Sequence, residues 1–193
     1  MLKKRVQDPK AKRAAILASA ARLFAQQGYE TTSIAAIAGD AGVAVGSVYR
    51  QFSDKVAVLS ALHHDLEHDL ITVMETVWAQ DLPYPDRFRP MFAALFAALT
   101  EIHAMMPILA MTKELVGSEG YAPGNAMIAA IRRMYFDGVE KGALRSYPPE
   151  IMPSILHGMV NGGLSAWAAN PSKAAEENIV STLTDVARAI AKI

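Results

Sequence analysis

An all-α fold is predicted by three features of this 193-residue sequence. Apolar residues recur at three- and four-residue steps over long stretches, as in Leu59, Leu62, Leu66, Leu70, Val73 and Val77. Proline- and glycine-rich breaks at 81–86, 106–107, 117–124, 142–149 and 170–172 separate such stretches. No alternating apolar and polar run bounded by hairpin turns occurs, so no sheet is expected.

The elements follow in order. Asp8-Pro9 reads as an N-cap with proline at the first helical position, and Ile16, Leu17, Ala20, Leu23 and Phe24 keep one apolar stripe until Gly28 stops the helix. In the second helix Ile34, Ile37, Ala38 and Ala41 recur at helical spacing. Gly42 can take the positive φ of a tight turn, Val43 packs, and a third helix begins at about Val45. Two short helices around a glycine turn make a helix-turn-helix. Ser53 can cap a long fourth helix running to about Gln80. Five more fit between the breaks, at about 87–105, 107–117, 124–141, 150–169 and 172–192, giving nine in all.

The third helix has the residue order of a DNA reader. Gly46 removes a side chain where backbone must approach a phosphate, Ser47, Tyr49, Arg50 and Gln51 offer hydrogen bonds, and Val48 with Phe52 supply an apolar side. Lys55, in the first turn of the next helix, points a cation at the same duplex. Thr32 and Ser33 precede the second helix, where a hydroxyl either caps the helix or meets a phosphate. Lys3, Lys4 and Arg5 form a basic arm that reads either as a minor-groove contact or as a solvated tail.

Charge and composition agree with that assignment. The formal net charge is zero, yet residues 1–55 hold nine Lys or Arg against four acidic residues, and the remainder holds ten against fifteen. A basic module fused to an acidic body accounts for the imbalance better than chance clustering in a solvated tail. With 52% hydrophobic and 20% charged residues the chain can bury a sizeable core. It lacks an apolar run of membrane-spanning length and a secretion-type leader, so a soluble cytoplasmic protein is expected. The absence of cysteine excludes disulfides, thiolate metal sites and cysteine nucleophiles. No dinucleotide, phosphate-loop, nucleophile-elbow or zincin motif occurs, so neither catalysis nor a cofactor is expected. His64 and His68 lie one turn apart, but two ligands without a third make a weak metal site. Their angle from the leucine stripe points them to solvent.

The run AGVAVGSVYRQFSDKVAVL, with ILASAARLFAQQGYETTSI upstream, resembles the signature of the tetracycline-repressor (TetR) family of bacterial transcriptional regulators over roughly residues 10–60. Gly42, Val43, Gly46, Ser47, Tyr49, Phe52 and Lys55 fall on its characteristic positions. Ala44 and Val45 depart from it: the family often has a capping serine and a lysine there. The missing cap leaves helix N–H groups to water or a DNA phosphate, and Val45 could touch a thymine methyl.

The resemblance implies a nine-helix architecture, with a helix-turn-helix domain at 1–55 and a ligand-binding and dimerisation domain at 56–193. It implies phosphate contacts from Tyr49 and Lys55, leaving Val45, Ser47, Arg50 and Gln51 to reach base edges. It also implies a homodimer paired through the last two helices as a four-helix bundle, with Ile155, Gly158, Met159, Gly162, Trp167, Leu183, Val186 and Ile190 at the interface. Half of these are expected to face the chain's own core instead. An apolar effector cavity is implied in the second domain, among Met74, Trp78, Phe92, Phe96, Met106 and Met111, with His103, Tyr135, Asn161 and Glu101 as polar anchors. The partners expected are therefore an operator in double-stranded DNA, a small apolar effector and a second copy, with no membrane. Two alternatives remain: a constitutive or architectural DNA binder without an inducer, and a helical interaction protein whose motif is accidental.

Overall fold

The structure, a computed structural model, describes residues 8–105 and 125–191. These form α1 (Pro9–Gln27), α2 (Ile34–Ala41), α3 (Val45–Tyr49), α4 (Lys55–Trp78), α5 (Tyr84–Glu101), a 3-10 turn (His103–Met105), α6 (Asn125–Glu140), α7 (Met152–Ala169) and α8 (Lys173–Arg188). The class is all-α. Among the described residues there is no strand, and the one isolated bridge joins Leu144 and Ala191. The helix expected at 107–117 lies outside the described residues.

Two of the boundaries that differ from the sequence reading have local causes. α5 starts at Tyr84, ahead of the expected 87, because Pro83 serves as N-cap and Pro85 sits in the first turn, where a missing N–H forfeits no helical bond. α8 stops at Arg188, short of the expected 192. There the N–H groups of Ala189, Ile190 and Ala191 turn to the carbonyls of Val186, Ala187 and Arg188, and the Ile190 carbonyl accepts from Arg145 N–H at 2.7 Å.

The chain divides into two compact units. The first takes residues up to Leu66 with Ala104 and Met105, and the second takes Glu67–His103 and the chain from Asn125 onward. Val58, Leu59 and Leu62 of α4 belong to the first unit's core.

That core gathers Ile16, Leu17, Ala20 and Phe24 of α1, Ile37 and Ala38 of α2, Val48 and Phe52, and the α4 residues just named. Burying each of the larger side chains among them stabilises the unit by about 1.5–3 kcal/mol. Helix ends are fixed locally. Asp8 accepts from Lys10 N–H at 3.2 Å, Ser33 from Ala36 N–H at 3.1 Å, and Gly42 turns the chain at φ 68°. α4 is capped by Asp54 rather than by Ser53: its carboxylate accepts from Ala57 N–H at 2.7 Å, since the helix begins one residue later than a Ser53 cap requires. Polar clamps set the helices against one another. Arg13 of α1 forks onto both oxygens of Asp65 of α4 at 2.7 and 3.2 Å, and Arg22 and Ser19 of α1 both hold Asp40 of α2.

In the second unit α5 packs on α8 and α7, α6 on α7, and α7 on α8. Met74, Phe88, Phe96, Tyr135, Leu164 and Leu183 are among its buried residues. Gly163 sets the distance between α7 and α8, because a Cβ there would lie 2.8 Å from Ile179 Cγ2. Arg87 finishes α4 by donating to the carbonyls of Trp78 and Leu82 at 3.0 and 2.7 Å.

Candidate nucleic-acid interface

The turn at Gly42 presents one face of α3 outward. Val48 is fully buried and Phe52 nearly so, which leaves Val45 at 41% and Tyr49 at 55% exposed, with Gly46 and Arg50 exposed beside them and Gln51 half-buried. Ala44 makes no side-chain cap, as its identity requires. A Cβ at Gly46 would meet nothing within 4 Å. A glycine in a helix costs about 1 kcal/mol relative to alanine. The fold does not call for glycine here, and close approach by something outside the chain is what it permits.

Three of the expected contact residues behave differently. Thr32 is 1% exposed, its hydroxyl donating to the Gly28 carbonyl at 2.8 Å and accepting from Gln27 Nε2 at 3.1 Å, so its side chain braces the α1–α2 turn and meets no phosphate. Ser33 is the exposed cap. Ser47 is 7% exposed and cannot reach a base edge, since it shares the inner side of α3 with Val48; its Oγ accepts from Arg50 Nη2 at 2.8 Å. Lys55 does not extend freely outward. Its ammonium donates to the Tyr29 carbonyl at 2.8 Å and the Glu30 carbonyl at 3.3 Å, with Nζ 4.2 Å from the Tyr29 ring centre. An ammonium has three N–H groups, so one is left for a phosphate. Burial pushes the Tyr29 phenol above its ordinary range. Lys3, Lys4 and Arg5 lie outside the described residues.

The expected effector-site residues separate in the same way. Met74, Trp78, Phe92 and Phe96 are buried in the second unit, while Met106 and Met111 lie outside the described residues. Tyr135 is not a free anchor: its hydroxyl donates to the Arg145 carbonyl at 2.8 Å and accepts from Tyr147 N–H at 2.7 Å, tying the chain after α6 back to that helix. Asn161 is exposed on α7, its amide 3.3 Å from His157 Nε2. Burial pushes the His157 imidazole below its ordinary value, and the nearby Glu67 charge opposes the shift. His103 is exposed; its Nδ1 lies 2.7 Å from the Thr100 carbonyl, and its ring meets Trp167 edge-on. The sequence reading missed Glu67, a buried carboxylate on α4 that accepts from Met127 N–H at 3.2 Å and so caps α6. Its place seven residues before Met74, two turns away on the same helix face, was the available signal.

Of the expected interface residues, Trp167, Leu183 and Ile190 are buried in their own unit, because they lie on the sides of α7 and α8 that pack inward. Ile155, Gly158, Gly162 and Val186 face outward, and Met159 is half-buried. A Cβ at Gly158 or Gly162 would meet nothing within 4 Å, unlike one at Gly163. From Ile151 to Asn170 there is no Lys, Arg, Asp or Glu. His64 and His68 are exposed, and the described residues hold no group of three metal-ligating side chains. No described helix is long and apolar enough to cross a membrane.

A helix-turn-helix with an exposed, polar reading helix defines a class, the DNA-binding regulators. Residues 16–62 match the family described as bacterial regulatory proteins, tetR family. The regulator HbdR of Aromatoleum sp. (strain CIB) is 44% identical over 57 residues, 28% of this chain and 25% of that protein. The transcriptional repressor KstR2 of Rhodococcus jostii (strain RHA1) is 25% identical over 140 residues, 70% of this chain and 69% of that protein. A TetR-family regulator from Pectobacterium atrosepticum has the same fold, with TM-score 0.76 over 98% of this chain and 99% of that one at 18% identity. The family match covers the helix-turn-helix segment, and the likeness to TetR-family structures extends the shared fold over nearly the whole chain.

Proposed function

We propose that this chain is a ligand-responsive repressor that binds a pseudo-palindromic operator as a homodimer and is released by a small, mostly apolar effector. The observation that carries the proposal is the outward face of α3, where Val45, Gly46, Tyr49 and Arg50 stand on a buried Val48–Phe52 base within the segment of family likeness. Tyr49, with Lys55 behind it, supplies phosphate contacts; Arg50, Gln51 and Val45 reach base edges. The repressor sense is supported by the likeness to KstR2 over most of the chain. The basic module is residues 1–55 and the acidic remainder holds the effector and dimer surfaces.

Dimerisation is supported by the uncharged outer side of α7. Two outward glycines weaken that helix with no compensating contact among the described residues, and a second copy seated over Gly158 and Gly162 would gain close backbone approach. The effector reading is supported by the aromatic and methionine content around Met74, Trp78, Phe92 and Phe96. An effector that displaces Met74 and Trp78 moves α4, the helix that also carries Val58, Leu59 and Leu62 of the first unit's core. Selection of genomic fragments by the purified protein, followed by release with hydrophobic compounds, tests the whole proposal. A constitutive DNA binder would select fragments and release them to no compound, and an accidental motif would select none.

A further inference from the structure

Ser47 of α3 and Arg50, the residue that ends that helix, stand one turn apart, and only Arg50 is exposed. Ser47 Oγ is buried and accepts from Arg50 Nη2 at 2.8 Å. A serine in a helix interior gives no gain in helix propensity over alanine. Its hydroxyl fixes the guanidinium of a long side chain that would otherwise sample many rotamers. The single bond uses one of five N–H groups, leaving a planar pair free for a bidentate partner. In the major groove the base edge that matches such a pair is guanine, through O6 and N7.

We infer that Ser47 is a positioning residue that holds Arg50 oriented to read a guanine in each half-site. The inference rests on the proposal that α3 enters the major groove. Part of the ordering that specific contact demands is completed when the chain folds, so Ser47 contributes to sequence preference without touching DNA.

The test uses the full chain with S47A, S47T, R50A and the double variant S47A/R50A. Without added DNA, guanidinium NMR should show slowed rotation about the Arg50 Nε–Cζ bond in the wild type and S47T, and fast rotation in S47A. In selection from random DNA, R50A should abolish a guanine preference at one base pair of each half-site. S47A should reduce that same preference by roughly three- to ten-fold, the effect of one hydrogen bond. S47T should retain it, S47A should add nothing in the R50A background, and affinity for random DNA should stay within about two-fold. A selective wild type whose S47A variant keeps full guanine preference, or loses preference at a different base pair, overturns the inference and leaves the operator proposal standing. A wild type that selects no sequence overturns both.

Discussion

At the scale of single residues, the chain separates cations that build the fold from cations available to a partner. Lys55 is held within the fold and, under the proposed docking, is also available to a phosphate. Removing its ammonium leaves the Tyr29 and Glu30 carbonyls without their donor, so Lys55→Ala should destabilise the protein by about 1–2 kcal/mol and also weaken binding to every DNA sequence. Thermal unfolding and fluorescence anisotropy on specific and random duplexes check the two effects, and an unchanged melting temperature would remove the structural one. Arg13 is purely structural. It holds the Asp65 carboxyl below the ordinary carboxylate range, chiefly through their hydrogen bond. Asp65 is then ionised in both folded and unfolded chains at neutral pH, and the pair's contribution is fully present there. As the pH falls past the ordinary aspartate value near 4, the unfolded chain takes up its proton first and the contribution is lost. Both side chains are about 40% exposed, so Arg13→Ala should cost no more than about 1 kcal/mol at pH 7. The denaturant midpoints of wild type and variant should draw together on acidification; a gap that does not narrow at all below pH 4 would contradict this account.

At the scale of helices, most starts and stops were legible because their causes are local. Pro9, Gly28, Ser33 and Gly42 act through their own backbone or a neighbour's N–H, and the residue types alone announce them. Which side of a helix faces inward was less legible where two apolar stripes compete. α7 carries Val160, Leu164 and Trp167 on one side and Ile155 on another, and nothing in the spacing says which side its own unit covers. Leu183 and Ile190 fall in the half expected to face the chain's own core, which spacing alone did not single out. Ser47 was misread for a related reason: hydroxyl residues are polar by type, but burial is decided by Val48 and Phe52 beside them. The glycines of α7 turn this distinction into a prediction. Gly163→Val should destabilise by about 1–3 kcal/mol through overpacking against Ile179 of α8. Gly162→Arg meets open space within the chain and should leave its fold intact, while placing a charge on the proposed pairing face. Sedimentation velocity should then show monomer for Gly162→Arg and dimer for the wild type. A wild type that is monomeric at all concentrations would dispose of the pairing surface altogether.

At the scale of the whole molecule, the uneven charge and the shared helix α4 set what regulation can look like. On the proposed function, nine cations against four acids in residues 1–55 should make operator binding steeply dependent on salt: six to ten phosphate contacts in a dimer would cost about 10³–10⁵ in affinity between 50 and 200 mM salt. The proposed dimer would also have to hold its two reading helices about 34–36 Å apart to meet successive major grooves. An effector need not unfold anything to defeat that match. It need only bind better to a conformation with another separation, and the coupling available is typically about 1–3 kcal/mol, or 5- to 150-fold. Such coupling is reciprocal. The first compound that binds in a calorimetric screen of hydrophobic metabolites should therefore bind more weakly, by the same factor, when the protein is saturated with its operator duplex. Trp78→Phe should shrink both factors together if α4 transmits the change, because that ring packs on Tyr84 and Phe88 of α5 at the end of α4. A compound that binds equally well with and without operator is no inducer, whatever its affinity, and a Trp78→Phe variant that retains the full coupling would place the transmission elsewhere than the end of α4.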